Sequence, residues 1–390
     1  MKNNASRRSF LTAGLGLPAA GLGAVSALNR PAGSAPAASL AAAPEVRFRT
    51  LGKTGMKVSS VAFGCMITSD ASVIEKAAEL GINLFDTARG YQGGNNERMV
   101  GAALKKARNN VFISTKTHAP TKEAALEDLN TSLRELGTDH VDVWYLHAKE
   151  KADQLTDDLI AAQQEAKKAG KTRFVGVSVH RGHGEVIPAM IKSGQFDVLL
   201  TSYNFTMKPS VEPLIESAAK AGLGIVAMKV MAGGYRRIKP GDKHYDTFKR
   251  EGAHAAMLKW VLRNQNIHTT IPSMTDMDQL DDNLRAMTGA FAPSDEKLLA
   301  AQLEKIRPYY CRMCGECDGT CEKGLPVSEI VRYVTYADGY GQYALGREHF
   351  LSLPAEAAAI RCDLCPTCSV NCKHGVNVAG QISRARELFA

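Results

Sequence analysis

Acidic residues are missing from the first 43 positions, which hold Lys2, Arg7, Arg8 and Arg30 and so supply half of the formal charge of +8 on this 390-residue chain. The rest is close to balanced, at about +4. Aromatic residues are sparse, at 6 %, and no basic stripe interleaves with them, which excludes a nucleic-acid partner. No G-x-G-x-x-G follows an apolar run, which counts against an open dinucleotide-binding sheet. A hydrophobic content of 45 % over this length supports a large core, enough for one big domain and a smaller one. Cysteine is not scarce: of nine, eight crowd into two runs near the C-terminus.

The acid-free segment begins with a basic stretch, continues through an Ala/Gly/Leu run from Leu11 to Leu28, and leaves through small residues at Ala35 to Ala43. That order is the mark of a processing segment. Ser6-Arg7-Arg8-Ser9-Phe10-Leu11 resembles the twin-arginine export motif, so residues 1–43 are expected to direct the protein to the periplasm or otherwise outside the cytoplasm. The resemblance implies export after folding, with any metal already bound. An uncleaved membrane anchor is the alternative, since the run approaches spanning length, but Gly14, Gly16, Pro18, Gly21 and Gly23 weaken it.

From about Val46 to Met287, eight short apolar runs (VSSVAFG, INLFD, NVFISTK, VDVWYLH, TRFVGVS, FDVLLTS, GIVAMKV and IHTTIPS) mostly alternate with helix-period segments such as EAALEDLNTSLRELG. This predicts an α/β fold, a (β/α)8 TIM barrel over residues 44–300, with a doubly wound open sheet as the alternative. Chemistry in such barrels gathers where strands end. Successive ends carry Asp86, with Tyr91 five residues on, then Lys116, then His147, spaced 30 and 31 residues apart as one repeat each.

These types suit proton delivery to a carbonyl oxygen. A free phenol titrates near 10, so Tyr91 needs a cation beside it to stabilise phenolate. Lys116 would supply the cation, Asp86 would hold it charged, and His147 would donate a hydrogen bond to the substrate oxygen.

The four residues resemble the Asp-Tyr-Lys-His tetrad of the aldo-keto reductases. RTLGKTGMKVSSVAFG is similar to that family's hairpin and first strand, and IPSMTDMDQLDDNL to its cofactor-adenine segment. The resemblance implies an oxidoreductase for a small carbonyl or alcohol, with Tyr91 as proton donor. It also implies NADP(H), held by Ser178, Lys229, Ser273, Gln279 and Asn283. Several of these depart from the pattern: Val179 and Leu200 stand where the family often has Asn and Gln, Lys229 where a ring often stacks on nicotinamide, and Ser273 and Gln279 where basic residues commonly meet the 2'-phosphate. NADP(H) is thereby disfavoured without being excluded.

Cys311, Cys314, Cys317 and Cys321 follow C-x2-C-x2-C-x3-C, and Cys362, Cys365, Cys368 and Cys372 repeat it. The spacing matches the bacterial ferredoxin run and implies two 4Fe-4S clusters in a ferredoxin-like domain, residues 301–390, facing a one-electron redox partner. In that run three cysteines hold one cluster and the fourth reaches the other. Zinc and disulfides are the competing uses of eight thiols. Turn-then-strand shapes are expected at KGLPV and HGVNV. Cys65 reads as buried packing. His180 is either a pocket or a loop residue, and the basic loop GGYRRIKPGDKHYDTFKREG is either a phosphate clamp or solvated. Tyr333, Tyr336, Tyr340 and Tyr343 read as packing at helical spacing or as a shield for a cluster.

Overall fold

The computed structural model describes residues 45–207, 209–233, 252–362 and 365–390. The expected export segment and the interior of the basic loop lie outside them.

The described residues form ten strands: β1 (Phe48–Thr50), β2 (Lys57–Ser59), β3 (Phe63–Gly64), β4 (Leu84–Asp86), β5 (Phe112–Thr117), β6 (Val141–Leu146), β7 (Thr172–Val179), β8 (Val198–Ser202), β9 (Gly224–Met228) and β10 (Thr269–Thr270). β1 and β2 form an antiparallel hairpin; β3 to β10 pair in parallel in sequence order. Parallel bridges from Val61 to Thr270 and from Gly64 to Ser273 close the ring. All eight expected runs lie in the barrel, although Val58 and Ser59 of the first belong to the hairpin instead. The hairpin seals the lower end. Its Leu51, Met56 and Val58 pack with Leu84, Val143, Tyr145, Leu200 and Val226 inside the barrel. Only glycine fits at position 52, where φ is +50° and a Cβ would stand 2.4 Å from the Gly224 nitrogen.

Outer helices such as Lys122–Leu136 bury one face against the sheet, here Ala125, Leu129, Leu133 and Leu136. Thr121 caps its start, and Gly137 its end at φ 63°. The helix Pro293–Ile306 runs through the expected boundary at residue 300 and rests on the barrel helix Ala253–Leu262, joining Leu299 to Ala256 and Met257.

Beyond it, the regular elements among the described residues of the cysteine lobe are helices, and the cysteine runs lie in turns and irregular chain between them. Val327–Val334, Tyr343–Leu351, Ala355–Ala359 and Val378–Phe389 enclose Ile330, Val331, Phe350, Ile382, Ala385 and Phe389. The turn-then-strand shapes expected at KGLPV and HGVNV are not formed: each run turns and its last residue, Val327 or Val378, begins a helix. Val327, Ile330, Val331 and Val334 recur at the 3- and 4-residue spacing of one helix face, and Val378, Ile382, Ala385 and Phe389 do the same. No helix among the described residues is long and apolar enough to cross a membrane.

The lobe sits over the barrel's upper end, where the strands finish. Arg181, just after β7, reaches Asp318 and Glu329 of the lobe, each at 3.1 Å, while holding Glu150 of the barrel at 2.6 Å. Asn204 donates to the Tyr310 hydroxyl at 3.2 Å. A Cβ on Gly339 would meet the Gly233 carbonyl oxygen at 2.2 Å, so the two backbones touch there.

Candidate active site

Strand alternation turns Asp86, Lys116 and His147 into the upper mouth, and a tight turn delivers Tyr91. Gln92, Gly93 and Gly94 all have positive φ, at 51°, 61° and 88°. Glycine suits position 94, where φ is 88° and a Cβ would displace the Arg89 guanidinium that pairs with buried Glu97. This left-handed run, with Gln92 donating to the Thr68 carbonyl at 2.9 Å, fixes the turn in which Tyr91 lies.

Lys116 is the hub. Its Nζ donates to Asp86 Oδ2 at 2.5 Å, to the Thr87 carbonyl at 2.6 Å and to the Tyr91 hydroxyl at 3.4 Å. The Lys116 and Asp86 side chains are only 1 % and 4 % exposed. The Ser114 hydroxyl donates to the other carboxylate oxygen at 2.7 Å. Burial pulls the Lys116 ammonium down, but Asp86 and Tyr91 outweigh it and leave the pKa raised, so the charge is kept. Burial also raises the Tyr91 phenol, only partly opposed by Lys116, so Tyr91 stays protonated at neutral pH. His147 stands edge-on to Tyr91, with ring centroids 6.0 Å apart. Burial, then the charges of His118 and Lys116, push its imidazole well below its usual range and keep it neutral. The four groups thus meet as a neutral acid, a locked cation with its counter-charge, and a neutral imidazole.

Sequence reasoning missed several neighbours. His118 stacks on His147 at 3.9 Å; alternation two residues past Lys116 was the available signal. Glu97, fully buried, pairs with Arg89 and accepts from Thr115 at 2.6 Å. Asn96 ties Thr87 to the Cys65 carbonyl. From the lobe, the charges of Tyr336 and Arg332 bear on the mouth, a long-range placement with no local signal. His180 is brought in, 6.0 Å from His147. Cys65 is buried in the core around the barrel, its thiol pushed up by burial.

The expected nucleotide contacts fall in two places. Ser178 Oγ, at the end of β7, accepts from the Ala148 N–H at 2.7 Å. Lys229 follows β9 with φ 56°, and its Nζ lies 3.2 Å from Met313 Sδ of the lobe. Burial, then Arg332, lower its pKa to about 7. Ser273 and Gln279 are half-buried past β10, with Gln279 Oε1 accepting from Thr275 N–H at 3.1 Å, while Asn283 is buried on the helix Met277–Thr288.

In the lobe, all eight cysteines are thiols, with no disulfide among the described residues. Cys314, Cys317 and Cys372 bear electrostatically on Cys311, and Cys314 and Cys372 on Cys317. The Glu322 N–H donates to Ser369 Oγ at 3.1 Å, bringing the end of the first run beside the second.

The aldo/keto reductase family matches residues 68–256. An uncharacterized oxidoreductase, YqkF of Bacillus subtilis, is 27 % identical over 68 % of this chain and 98 % of its own length. The L-galactose dehydrogenase of Arabidopsis thaliana is 26 % identical over 63 % of this chain and 89 % of its own. Among solved structures, the holo form of aldo-keto reductase AKR11C1 from Bacillus halodurans superposes with a TM-score of 0.56 at 26 % identity, covering 65 % of this chain and 96 % of that one.

Proposed function

We propose that this chain, whose residues 68–256 match the aldo/keto reductase family and whose relatives include oxidoreductases, is an exported oxidoreductase that interconverts a small carbonyl compound and its alcohol, with two 4Fe-4S clusters on the cysteine lobe linking the barrel to a one-electron partner. The observation that carries this reading is the Asp86–Lys116–Tyr91 chain, beside His147 and directly under the cysteine lobe. In the reducing direction, the Tyr91 hydroxyl gives its proton to the carbonyl oxygen while the carbon takes a hydride, whose two electrons a two-electron carrier held in the barrel would have to gather one at a time from the clusters. Lys116 stabilises the phenolate left behind, Asp86 holds Lys116 charged, and His147 orients the oxygen through a ring N–H. In the oxidising direction the phenolate takes the proton back.

The donor set of the lobe fits iron–sulfur clusters: eight unbridged thiols in two copies of one spacing. Cys311, Cys314, Cys317 and Cys372 would hold one cluster, supported by the influence of the other three on Cys311 and of Cys314 and Cys372 on Cys317. Cys362, Cys365, Cys368 and Cys321 would hold the other. When bound, each cluster supplies one-electron transfer. The frame around them is helical, so the likeness to ferredoxins rests on the cysteine spacing.

The nicotinamide half of NADP(H) is poorly matched. Leu200 packs inside the barrel, Val179 in the core around it, and Lys229 stands against Met313, so none offers the amide contacts expected there. The test is the metal content of anaerobically purified native protein, expected at about eight iron atoms per chain. Four irons, or zinc in their place, would overturn the two-cluster reading. Cys321→Ser should damage the second cluster and spare the first.

A further inference from the structure

The mouth of the barrel holds more nitrogen donors than the tetrad uses. His118, His147 and His180 stand within two ring contacts of each other, of 3.9 Å and 6.0 Å. Lys229 meets only the Met313 thioether, with no carboxylate in ion-pair range among the described residues. Arg332 projects from the lobe helix Val327–Val334 and shares Glu329 with Arg181. Among the described residues, three buried nitrogens around the mouth have no hydrogen-bond partner: His147 Nδ1, His180 Nδ1 and Arg332 Nε. Buried polar atoms are normally paired, so three orphans in one neighbourhood mark a place where oxygens from outside the chain would be received. Arg181, next to His180, and Arg332 share Glu329, which brings the lobe's cation to that histidine, and the charges of Lys229 and Arg332 both lower its pKa after burial.

We propose that His180, Lys229 and Arg332 form an anchoring point for a carboxylate on the substrate, so that the enzyme acts on oxo acids or their hydroxy acids. This rests on the carbonyl chemistry assigned to the tetrad and names its substrate class. The carbonyl lies at Tyr91 and His147, and the carboxylate is held between barrel and lobe. Specificity then depends on a residue that the barrel alone does not contain, because Arg332 belongs to the cysteine lobe.

The test is calorimetric titration of the full, cluster-loaded chain with oxamate, with its neutral counterpart oxamide, and with inorganic phosphate. Oxamate should bind at least about tenfold more tightly than either. Arg332→Gln should weaken oxamate about tenfold to a hundredfold, as expected for loss of a charged hydrogen-bond donor, and Arg332→Lys should recover part of it. Should Arg332→Gln fail to fold, Lys229→Met leaves no buried acid unpaired and should weaken oxamate similarly. Equal binding of oxamate and oxamide, or unchanged oxamate affinity in the folded variants, would overturn the proposal. Tighter phosphate binding would overturn the carboxylate assignment. Iron loss in Arg332→Gln with unchanged oxamate affinity would mean that Arg332 serves a cluster instead. Tyr91→Phe should still bind oxamate; if that variant turned over normally while Arg332→Gln still lost oxamate, only the catalytic reading would fall.

Discussion

Replacing Tyr91 by Phe removes one hydroxyl and almost nothing else. The Tyr91 hydroxyl takes only a long hydrogen bond from Lys116, at 3.4 Å, so its loss should cost less than about 1 kcal/mol of stability. The ring keeps its edge contact with His147 and its place under the Lys116 ammonium, 4.9 Å from the ring centroid. Lys116 keeps Asp86 and the Thr87 carbonyl, so the buried charge remains compensated. What disappears is the only group of the tetrad that is both a neutral acid and next to a cation able to stabilise its conjugate base. A positioned proton donor contributes about 10²- to 10⁴-fold, and carbonyl turnover should fall by that factor. The assay is turnover on a panel of carbonyl compounds, run beside iron content and thermal midpoint. Full turnover with normal iron and midpoint would refute the catalytic role; lost turnover with lost iron would show that the variant had disturbed more than a proton.

Other consequences can be measured independently. Lys116→Met leaves the Asp86 carboxylate buried with only the Ser114 hydroxyl, so stability should fall by about 3–5 kcal/mol, partly recovered in the Asp86→Asn/Lys116→Met double variant; equal loss in both would mean that the charge is not the cause. His147 and His180 are held neutral chiefly by burial, and His183 is pulled to about 4. Because their folded pKa values lie below the unfolded value near 6.5, their contribution is intact above that pH and is lost below it, by about 1 kcal/mol per histidine between pH 6.5 and 5.5. A flat midpoint across that window would contradict it. Arg7→Lys with Arg8→Lys should leave the protein in the cytoplasm with its clusters intact; unchanged export, read by cell fractionation, would remove the twin-arginine assignment.

The barrel was legible because its signals are local. Apolar runs repeat at one spacing, and Asp86, Lys116 and His147 each end one of them, so strand alternation alone turns them to the same mouth. Tyr91 was legible as a type, but the left-handed turn that presents it depends on Gln92 as well as two glycines. The cysteine lobe was harder. Its spacing pointed to metal, but the helices after KGLPV and HGVNV were hidden because each apolar stretch is too short to separate period 2 from period 3.6 without its continuation. Least legible was the roof. Arg332, Tyr336 and Met313 reach the mouth across more than 80 residues of sequence from Lys229, and no pattern in a single chain announces such a contact.

The central claim is that electrons enter or leave the barrel through the cysteine lobe, and the most direct test is to supply them by two separate routes. Native protein should sustain multiple turnovers of a carbonyl or alcohol panel with an artificial one-electron donor or acceptor, but not with NADPH alone, and the activity should vanish when Cys314 and Cys365 are replaced by Ser. Sustained NADPH-driven turnover, undiminished by those two replacements, would contradict the account.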